Sequence, residues 1–277
     1  MRAGRHRGAG RVVTYMVLIV AALFAVFPIW WIVSTSLESP ARAYSFPGAL
    51  IPQGTGANYA AAWQQGPWGR FLLNSLGIGF ATTTFVLATG ISAAYAIVFL
   101  PSRWTRVAFP LVLATMMVPF YAILVPDYLI VRDLGWLNTY ISQVVPFAAS
   151  GFAIFLLVQF MRGFPRALRD AARMDGAGEL RFLWSVVVPN LVPALVTVGV
   201  YTFLQSWNAF LWPLIVTTSS DVQPIQVGLA NFLSTANGTN WTVLAAAAAI
   251  TAAPMLLLYV LAQRKVVESV SRTGLKG

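Results

Sequence analysis

Apolar residues in this chain form six long runs that alternate with short segments rich in charged residues, proline and glycine. The runs cover residues 12–33, 71–100, 107–125, 141–161, 186–204 and 241–262. Each can cross a bilayer as a helix, because about 20 residues rising 1.5 Å each span its hydrocarbon core. None shows the alternation typical of barrel strands. The pattern predicts an all-α polytopic membrane protein with six transmembrane helices.

The third run contains two prolines, Pro110 and Pro119. Proline has no backbone N–H and clashes with the preceding turn of a helix. We therefore expect a kink in the third span. The second run is longer than a bilayer requires, so its helix is expected to tilt or to extend into water.

The positions of the charges support this interpretation and give an orientation. Apolar residues make up 58% of the chain and charged residues only 9%, which excludes an ordinary soluble enzyme. All but three of the 18 Lys and Arg residues lie before the first run, between the second and third, between the fourth and fifth, or after the sixth. The exceptions are Arg42, Arg70 and Arg132. Since positive residues concentrate on the cytoplasmic side, both termini are predicted to be cytoplasmic.

The chain offers little for catalysis or metal binding. It has no cysteine, and its single histidine, His6, precedes the first run. It contains no Gly-x-x-x-x-Gly-Lys-[Ser/Thr] phosphate loop, His-Glu-x-x-His or Gly-x-Ser-x-Gly. No catalytic residue and no metal ligand is assigned. The net charge of +10 is explained by topology and contact with anionic lipid, so nucleic acid is not expected as a partner.

The segment between the fourth and fifth runs, residues 162–189, predicts a helix–turn–helix at the cytoplasmic membrane surface. Pro165 suits the first turn of a helix, on which Leu168, Ala171 and Ala172 share one face. Gly176 can adopt the left-handed conformation that ends such a helix. A second amphipathic helix follows, with its apolar face formed by Leu180, Leu183, Trp184 and Val187.

The small alanines leave a slim helix face that could enter a groove on another protein. An interfacial amphipathic loop without a partner would show the same periodicity. Helical spacing alone leaves both readings open.

A longer pattern in this segment resembles a known family. The sequence Asp-Ala-Ala-Arg-Met-Asp-Gly-Ala at residues 170–177, followed by Val-Val-Val-Pro at 186–189, resembles the EAA motif of ABC importer permeases. The motif spacing is kept throughout. Three residues differ from the motif: Asp170 replaces Glu, Val186 replaces Ile and Val188 replaces Leu. The side chain of Asp170 is one methylene shorter than that of the Glu it replaces.

Other parts of the chain resemble the carbohydrate branch of that family, and its maltose G-type subunit in particular. They are Asn74-Ser75, residues 207–214, residues 224–229 and the C-terminal end. The resemblance implies a single permease domain over residues 1–277, with its core at 71–262 and its coupling loop at 162–189. It also implies a bacterial plasma membrane location and no enzymatic activity in this chain.

The implied partners are a second permease subunit, two ATPase subunits that use ATP and Mg, an extracytoplasmic solute-binding protein and membrane lipid. The resemblance assigns contacts with the ATPase to one set of residues in the loop. They are Leu168, Asp170, Ala171, Ala172, Met174, Asp175, Gly176, Ala177 and Pro189. The C-terminal residues 274–277 are a second candidate contact.

Candidates for the substrate path are side chains near the spans that can bind hydroxyl groups or a sugar ring. They are Asn74, Gln205, Trp207 and Asn208, with Tyr201 as a second aromatic choice. The partner permease could instead supply the whole sugar site. A permease for a glycerol-phosphate type of solute is the nearest alternative. An ion-coupled secondary transporter fits less well, because no ionisable residue lies inside the six runs.

Overall fold

The computed structural model describes residues 5–43, 52, 54–233 and 239–274, and every regular element in them is helical. The α-helices are α1 Arg5–Ser36, α2 Pro40–Ala43, α3 Ala57–Gln64, α4 Trp68–Phe99, α5 Arg103–Thr115, α6 Phe120–Asp133, α7 Tyr140–Val144, α8 Gly151–Arg162, α9 Arg166–Met174, α10 Glu179–Phe182, α11 Val188–Asn190, α12 Val192–Trp207, α13 Leu211–Val216, α14 Ile225–Ala230 and α15 Trp241–Gly274. A π-helical turn at Leu183–Val187 joins α10 to α11. The expected all-α class is confirmed for the described residues.

Three helices in this part of the chain are long and apolar enough to cross a membrane without interruption. They correspond to Arg11–Ser36, Trp68–Phe99 and Trp241–Leu261, and they match the first, second and sixth predicted spans. The other three predicted spans fall on bent helix pairs, so the described chain offers up to six spans if each pair counts as one.

The third predicted span is broken rather than kinked. α5 and α6 meet at 103°, and the break lies at residues 116–119. Pro119 precedes α6 in an extended conformation, because it cannot donate a hydrogen bond to the preceding turn. Pro110 lies within α5 and leaves it continuous. The expected kink in the third span is thus a sharp break next to Pro119, and Pro110 does not interrupt its helix.

The fourth and fifth spans also bend, which the run boundaries did not predict. The segment Tyr140–Phe147 meets α8 at 42°, and the segment Glu179–Asn190 meets α12 at 77°. In the first case Ser150 caps the new helix by accepting a hydrogen bond from the Ala153 N–H at 3.3 Å. Both runs are apolar on either side of the break, so hydropathy gave no sign of the bends.

The described chain forms two compact units. In the first, which contains residues 1–67 and 229–253, Asn58 is the main polar link. Its buried amide donates to the carbonyl oxygens of Ser36 and Glu38 at 2.9 and 2.7 Å, and its Oδ1 accepts from Thr242 at 3.0 Å. One amide thereby ties the end of α1 to α3 and to the start of α15.

The second unit, residues 68–228 and 254–277, has a core in which α4 packs against α8 and α12. Small residues allow these close approaches. A Cβ on Gly90 would lie 3.2 Å from Leu157, and one on Gly79 would lie 2.8 Å from the ring of Phe203. Asn74 and Tyr95, which return in the functional site below, lie on α4 of this core.

Candidate functional site

The helix predicted in the loop at 162–189 is α9, and its end is defined by a glycine turn. Gly176 has φ +73°, which confirms the predicted left-handed conformation. The N–H of Gly176 donates to the Arg173 carbonyl at 3.0 Å, and the N–H of Ala177 donates to that of Ala172 at 2.9 Å. These two bonds form a Schellman motif, which satisfies carbonyls that the helix end would otherwise leave unpaired.

The two faces of α9 have different environments. Ala172 is 7% exposed and belongs to the core of the second unit. Leu168 is 42% and Met174 89% exposed, and Asp170, Ala171 and Asp175 are exposed as well. The three residues keep the expected i, i+3, i+4 spacing on α9, but only Ala172 is buried. Ala172 attaches the helix to the protein, while Leu168, Ala171 and Met174 leave an apolar strip open.

Four polar side chains meet beneath α9 in a group that we call the carboxylate clamp: Tyr95, Arg169, Arg173 and Glu179. Glu179 begins α10, and its Oε1 lies 3.2 Å from Nη2 of both Arg169 and Arg173. Its Oε2 accepts a short hydrogen bond from the Tyr95 hydroxyl on α4. The clamp joins α4, α9 and α10 through one carboxylate.

The electrostatics of the clamp favour the ionised carboxylate. The hydrogen bond from Tyr95 and those from Arg173 and Arg169 lower the pKa of Glu179, and partial burial opposes them. Such bonds stabilise the charged form of the acid. Glu179 therefore stays ionised over the whole range in which a cell works.

The second helix of the loop differs from its predicted pattern. Leu183 and Val187 are buried as expected, but Leu180 and Trp184 are exposed. A π-helical turn spans Leu183–Val187, and both of its end residues are buried. Pro189 follows this turn directly, within α11, and is exposed.

The substrate-path candidates on α12 lie on two opposite faces. Gln205 and Asn208 are exposed and lie in one stripe with Tyr201, which is 42% exposed. Gln205 Nε2 donates to the Tyr201 hydroxyl at 2.8 Å. Trp207 is 1% exposed and stacks on Phe203 with ring centroids 6.1 Å apart. Of the two aromatic candidates, only Tyr201 is exposed, and its ring packs against Phe152 with centroids 4.6 Å apart.

Asn74 is buried and engaged with the protein. Its Nδ2 donates to the carbonyls of Asp221 and Gln223 at 3.0 and 2.9 Å, and its Oδ1 accepts from the Tyr140 hydroxyl at 2.8 Å. We call residues 217–225 the clasped loop, because side chains from distant helices hold its backbone. In this structure the Asn74 amide is part of that clasp.

Gln143 and Ser75 add to the clasp, as do Arg70, Tyr140 and Asn138. Gln143 donates to the Val222 carbonyl at 2.9 Å, and Ser75 Oγ accepts from the Ile225 N–H at 2.8 Å. The first of these comes from α7 and the second from α4. Most of these bonds reach the backbone of the clasped loop, and two of its own side chains add contacts, Asp221 with Arg70 and Thr218 with Asn138.

Sequence reasoning missed Tyr95 and Glu179. The available signal was weak: Glu179 follows Arg169 and Arg173 in a loop rich in arginine. Nothing in helical spacing connects it to Tyr95, 84 residues earlier. Within the described residues, no group of three His, Cys, Asp or Glu side chains could hold a metal ion. The C-terminal candidates at 275–277 lie outside the described residues.

Comparison with known proteins gives a consistent result. Residues 86–272 match the family described as binding-protein-dependent transport system inner membrane component. The chain is 32% identical over 259 residues to the sn-glycerol-3-phosphate transport system permease protein UgpE of Yersinia pestis, covering 90% of this chain and 92% of that protein. It is 28% identical to the diacetylchitobiose uptake system permease protein NgcG of Streptomyces coelicolor, covering 94% and 87%.

The fold is also shared with solved structures. A chain of a bacterial ABC transporter involved in the import of the acidic polysaccharide alginate superposes with a TM-score of 0.84 at 25% identity, over 95% of this chain and 98% of that one. A chain from the bacterial alginate ABC transporter in complex with an alginate pentasaccharide-bound periplasmic protein gives 0.64 at 14% identity, over 97% and 96%, which is a likeness of fold alone.

These matches confirm the predicted membrane permease, an inner membrane component of a binding-protein-dependent transport system. The family match covers more than half of the chain, and the relative at 32% identity is matched nearly end to end. The chain belongs to the family of binding-protein-dependent transport system inner membrane components, the permease subunits of ABC importers.

Proposed function

We propose that this chain is one of two different permease subunits of an importer that moves a carbohydrate delivered by an extracytoplasmic solute-binding protein. Its main support is the family match over residues 86–272, together with relatives named for glycerol phosphate and diacetylchitobiose. The whole chain, 1–277, forms one permease domain with its core at 71–262. Partner ATPases bind the ATP and Mg that drive transport.

In the proposed topology, each bent helix pair counts as one span, so six spans leave both termini in the cytoplasm. The distribution of Lys and Arg supports this orientation. Because the chain contains no cysteine, single cysteines introduced at Arg103 and at Asp133 report the side directly. A membrane-impermeant maleimide should label Asp133→Cys from outside intact cells and leave Arg103→Cys unlabelled until the membrane is opened. The reverse pattern would overturn the orientation.

The exposed strip of α9 is the proposed contact with the ATPase. Leu168, Ala171 and Met174 supply apolar area on a slim helix, and Asp170 and Asp175 border it with negative charge. Apolar anchors of this kind carry most of the binding energy, while charges at the rim set the register. Gly176, Ala177 and Pro189 support the contact by shaping the turn and the return of the chain to the membrane.

Neighbouring alanines provide a matched test of that surface. Ala171→Asp places a charge on the exposed strip, and the ATPase should no longer co-purify while the thermal midpoint of the permease stays unchanged. Ala172→Asp places the same charge in the core, and it should lower the thermal midpoint. Retention of the ATPase by Ala171→Asp would remove α9 from the interface.

The exposed stripe of α12 is the proposed substrate contact from this subunit. Gln205 and Asn208 each combine a donor with an acceptor, which suits sugar hydroxyls, and Tyr201 adds an aromatic face. Asn74 and Trp207 contribute from behind, by holding the clasped loop and the end of α12. Gln205→Leu with Asn208→Leu should raise the KM for uptake about threefold to tenfold, as expected from a lost neutral hydrogen bond. Ser92→Ala, whose hydroxyl bonds its own helix, is the control.

The substrate class follows from the chemistry of this stripe. Its side chains are uncharged, which favours a hydroxyl-rich neutral carbohydrate over an anion. The relative at 32% identity keeps a glycerol-phosphate type of solute as the second candidate. An ion-coupled transporter would need no ATPase, and the family membership argues against it.

Reconstitution of the complete importer in proteoliposomes tests the function. Uptake should require internal ATP, the ATPase and the binding protein, and neutral oligosaccharides should compete for it. Competition by sn-glycerol-3-phosphate alone would support the second candidate. Uptake by this permease pair without the ATPase would overturn the proposed function.

A further inference from the structure

The carboxylate clamp is the one charged cluster of the loop that reaches into the helical core. Tyr95 lies on α4, within the predicted second span, and is 5% exposed. Its ring packs against Phe99 and Phe182, with centroids 5.1 and 6.4 Å away. The hydroxyl of a buried, packed ring has little freedom, so its bond fixes Glu179 relative to α4.

Arg169 is held in the same place by contacts of a different kind. Its guanidinium lies 5.5 Å from the ring centroid of Phe99, and Nη2 reaches Glu179. Phe99 in turn meets Phe164 and Phe182 edge-on, with centroids 6.3 and 5.5 Å away. Arginine on an aromatic face combines cation–π attraction with dispersion. Arg169 therefore ties α9 to the same aromatic group that surrounds Tyr95.

Short non-helical joints connect α9 to the helices before and after it. The helix is joined to α8 through residues 163–165 and to α10 through residues 175–178, and both joints contain glycine. A displacement of the exposed strip could be absorbed by rotation at these joints. A cross-link from α9 to α4 through Glu179 would prevent that.

We propose that Glu179 is a positioning residue that locks α9 to α4, so that a movement imposed on α9 by the ATPase is transmitted to the second span. This role rests on the proposed contact between α9 and the ATPase. It adds the path by which a movement of α9 reaches the membrane helices. In this proposal the clamp holds α9 from the side of α4, and the exposed strip makes the contact with the ATPase. Loss of the clamp should therefore separate transport from ATP hydrolysis rather than abolish both.

The decisive measurement compares uptake with ATP hydrolysis for Glu179→Gln in the reconstituted importer. The variant keeps the size and one acceptor of the side chain but removes its charge. We expect the ATPase to co-purify and hydrolyse ATP as in the wild type, while uptake per ATP falls about tenfold, the size of one lost charge-assisted hydrogen bond. Asp133→Asn, which neutralises a carboxylate paired with the adjacent Arg132, should leave the ratio unchanged.

Two further variants separate this role from a purely structural one. Tyr95→Phe keeps the ring and removes the hydroxyl, so it should lower the same ratio by a smaller factor. Glu179→Asp keeps the charge and should restore part of the coupling. If Glu179→Gln fails to assemble, Tyr95→Phe still tests the proposal. An unchanged ratio of uptake to ATP hydrolysis in Tyr95→Phe would contradict the positioning role of Glu179.

A distance measurement checks the mechanical part directly. With Ser92→Cys on α4 and Ala167→Cys on α9, both exposed, spin labels report the separation of the two helices. The distance distribution should be narrow in the wild type and broader in Glu179→Gln, in the assembled importer. Equal widths of the two distance distributions would show that Glu179 does not lock α9 to α4.

The outcomes distinguish this inference from the proposal on which it rests. If Ala171→Asp keeps the ATPase, the contact of α9 is wrong. If Ala171→Asp loses it while Glu179→Gln transports with wild-type efficiency, the contact stands and the role of Glu179 is wrong. If Glu179→Gln releases the ATPase, Glu179 belongs to the docking surface and not to a lock.

Discussion

The coupling loop at 162–189 and the clasped loop at 217–225 are both irregular segments of the second unit, but they are held in different ways. In the coupling loop, the turn at Gly176 closes on carbonyls five and three residues earlier, and Glu179 binds arginines of the same loop. In the clasped loop, Asn74 and Gln143 bind backbone carbonyls 149 and 79 residues away. The first arrangement leaves an exposed face that can move with a partner. The second holds the backbone of a loop firmly against the helices.

The largest effect is expected at the turn of the coupling loop. Gly176→Val should reduce ATP-driven uptake at least about tenfold, because a residue with a Cβ in the left-handed region costs about 1–2 kcal/mol and a branched one costs more. A Cβ there would meet no atom of the described residues within 4 Å, so the cost is conformational rather than steric.

Gly178→Ala is the matched control for that substitution. Gly178 has φ −69°, which any residue adopts, and its surroundings are equally open. It should transport as the wild type does. If Gly176→Val transports as well as Gly178→Ala, the function of the coupling loop does not depend on the left-handed turn at Gly176.

The next largest effect is expected in the clasped loop. Asn74→Asp replaces a donor with an acceptor opposite two carbonyls, and it should destabilise the permease by about 1–3 kcal/mol. The measurement is the thermal midpoint of the purified complex. Tyr140→Phe, which removes one hydrogen bond to Asn74, should cause a smaller shift. A change in the KM for uptake without any change in the thermal midpoint would instead make Asn74 a substrate contact.

A smaller effect concerns pH at the clamp. The lowered pKa of Glu179 means that its contribution to stability is fully present above the ordinary glutamate pKa of about 4.3 and is lost as the pH falls through the lower folded-state value. The difference in thermal midpoint between the wild type and Glu179→Gln should stay constant from about pH 8 to pH 6. A difference that shrinks near pH 6 would mean that the pKa of Glu179 is raised rather than lowered.

The smallest effect is expected for the one acidic side chain of the clasped loop. Asp221 pairs with Arg70 at 3.1 Å, but both side chains are exposed, and such pairs contribute about 0–1 kcal/mol. Asp221→Asn should therefore leave the thermal midpoint nearly unchanged, in contrast to Asn74→Asp. A large shift would mean that the loop is held by its charge rather than by its backbone.

Features that depend on local contacts were predicted from the sequence, whereas features that depend on contacts between distant residues were not. The fixed spacing around Gly176 indicated the turn, and its hydrogen bonds are all local. The division of α9 into a buried Ala172 and an exposed Ala171 could not be predicted, because the two neighbours differ only in which side faces the core. The split of Trp207 from Gln205 and Asn208 has the same cause, since packing at the end of α12 decides which side of the helix is buried.

The sequence by itself determined the long apolar helices, their separation by basic segments, the left-handed turn and the membership in a permease family. These properties depend on hydropathy, charge and short-range spacing, which are present in the chain before it folds. Only the tertiary structure decided where the third, fourth and fifth spans bend, which face of α12 is open, and that Tyr95 meets Glu179. Those outcomes depend on packing between residues distant in the chain. Hydropathy and short-range spacing carry no information about which distant residues meet.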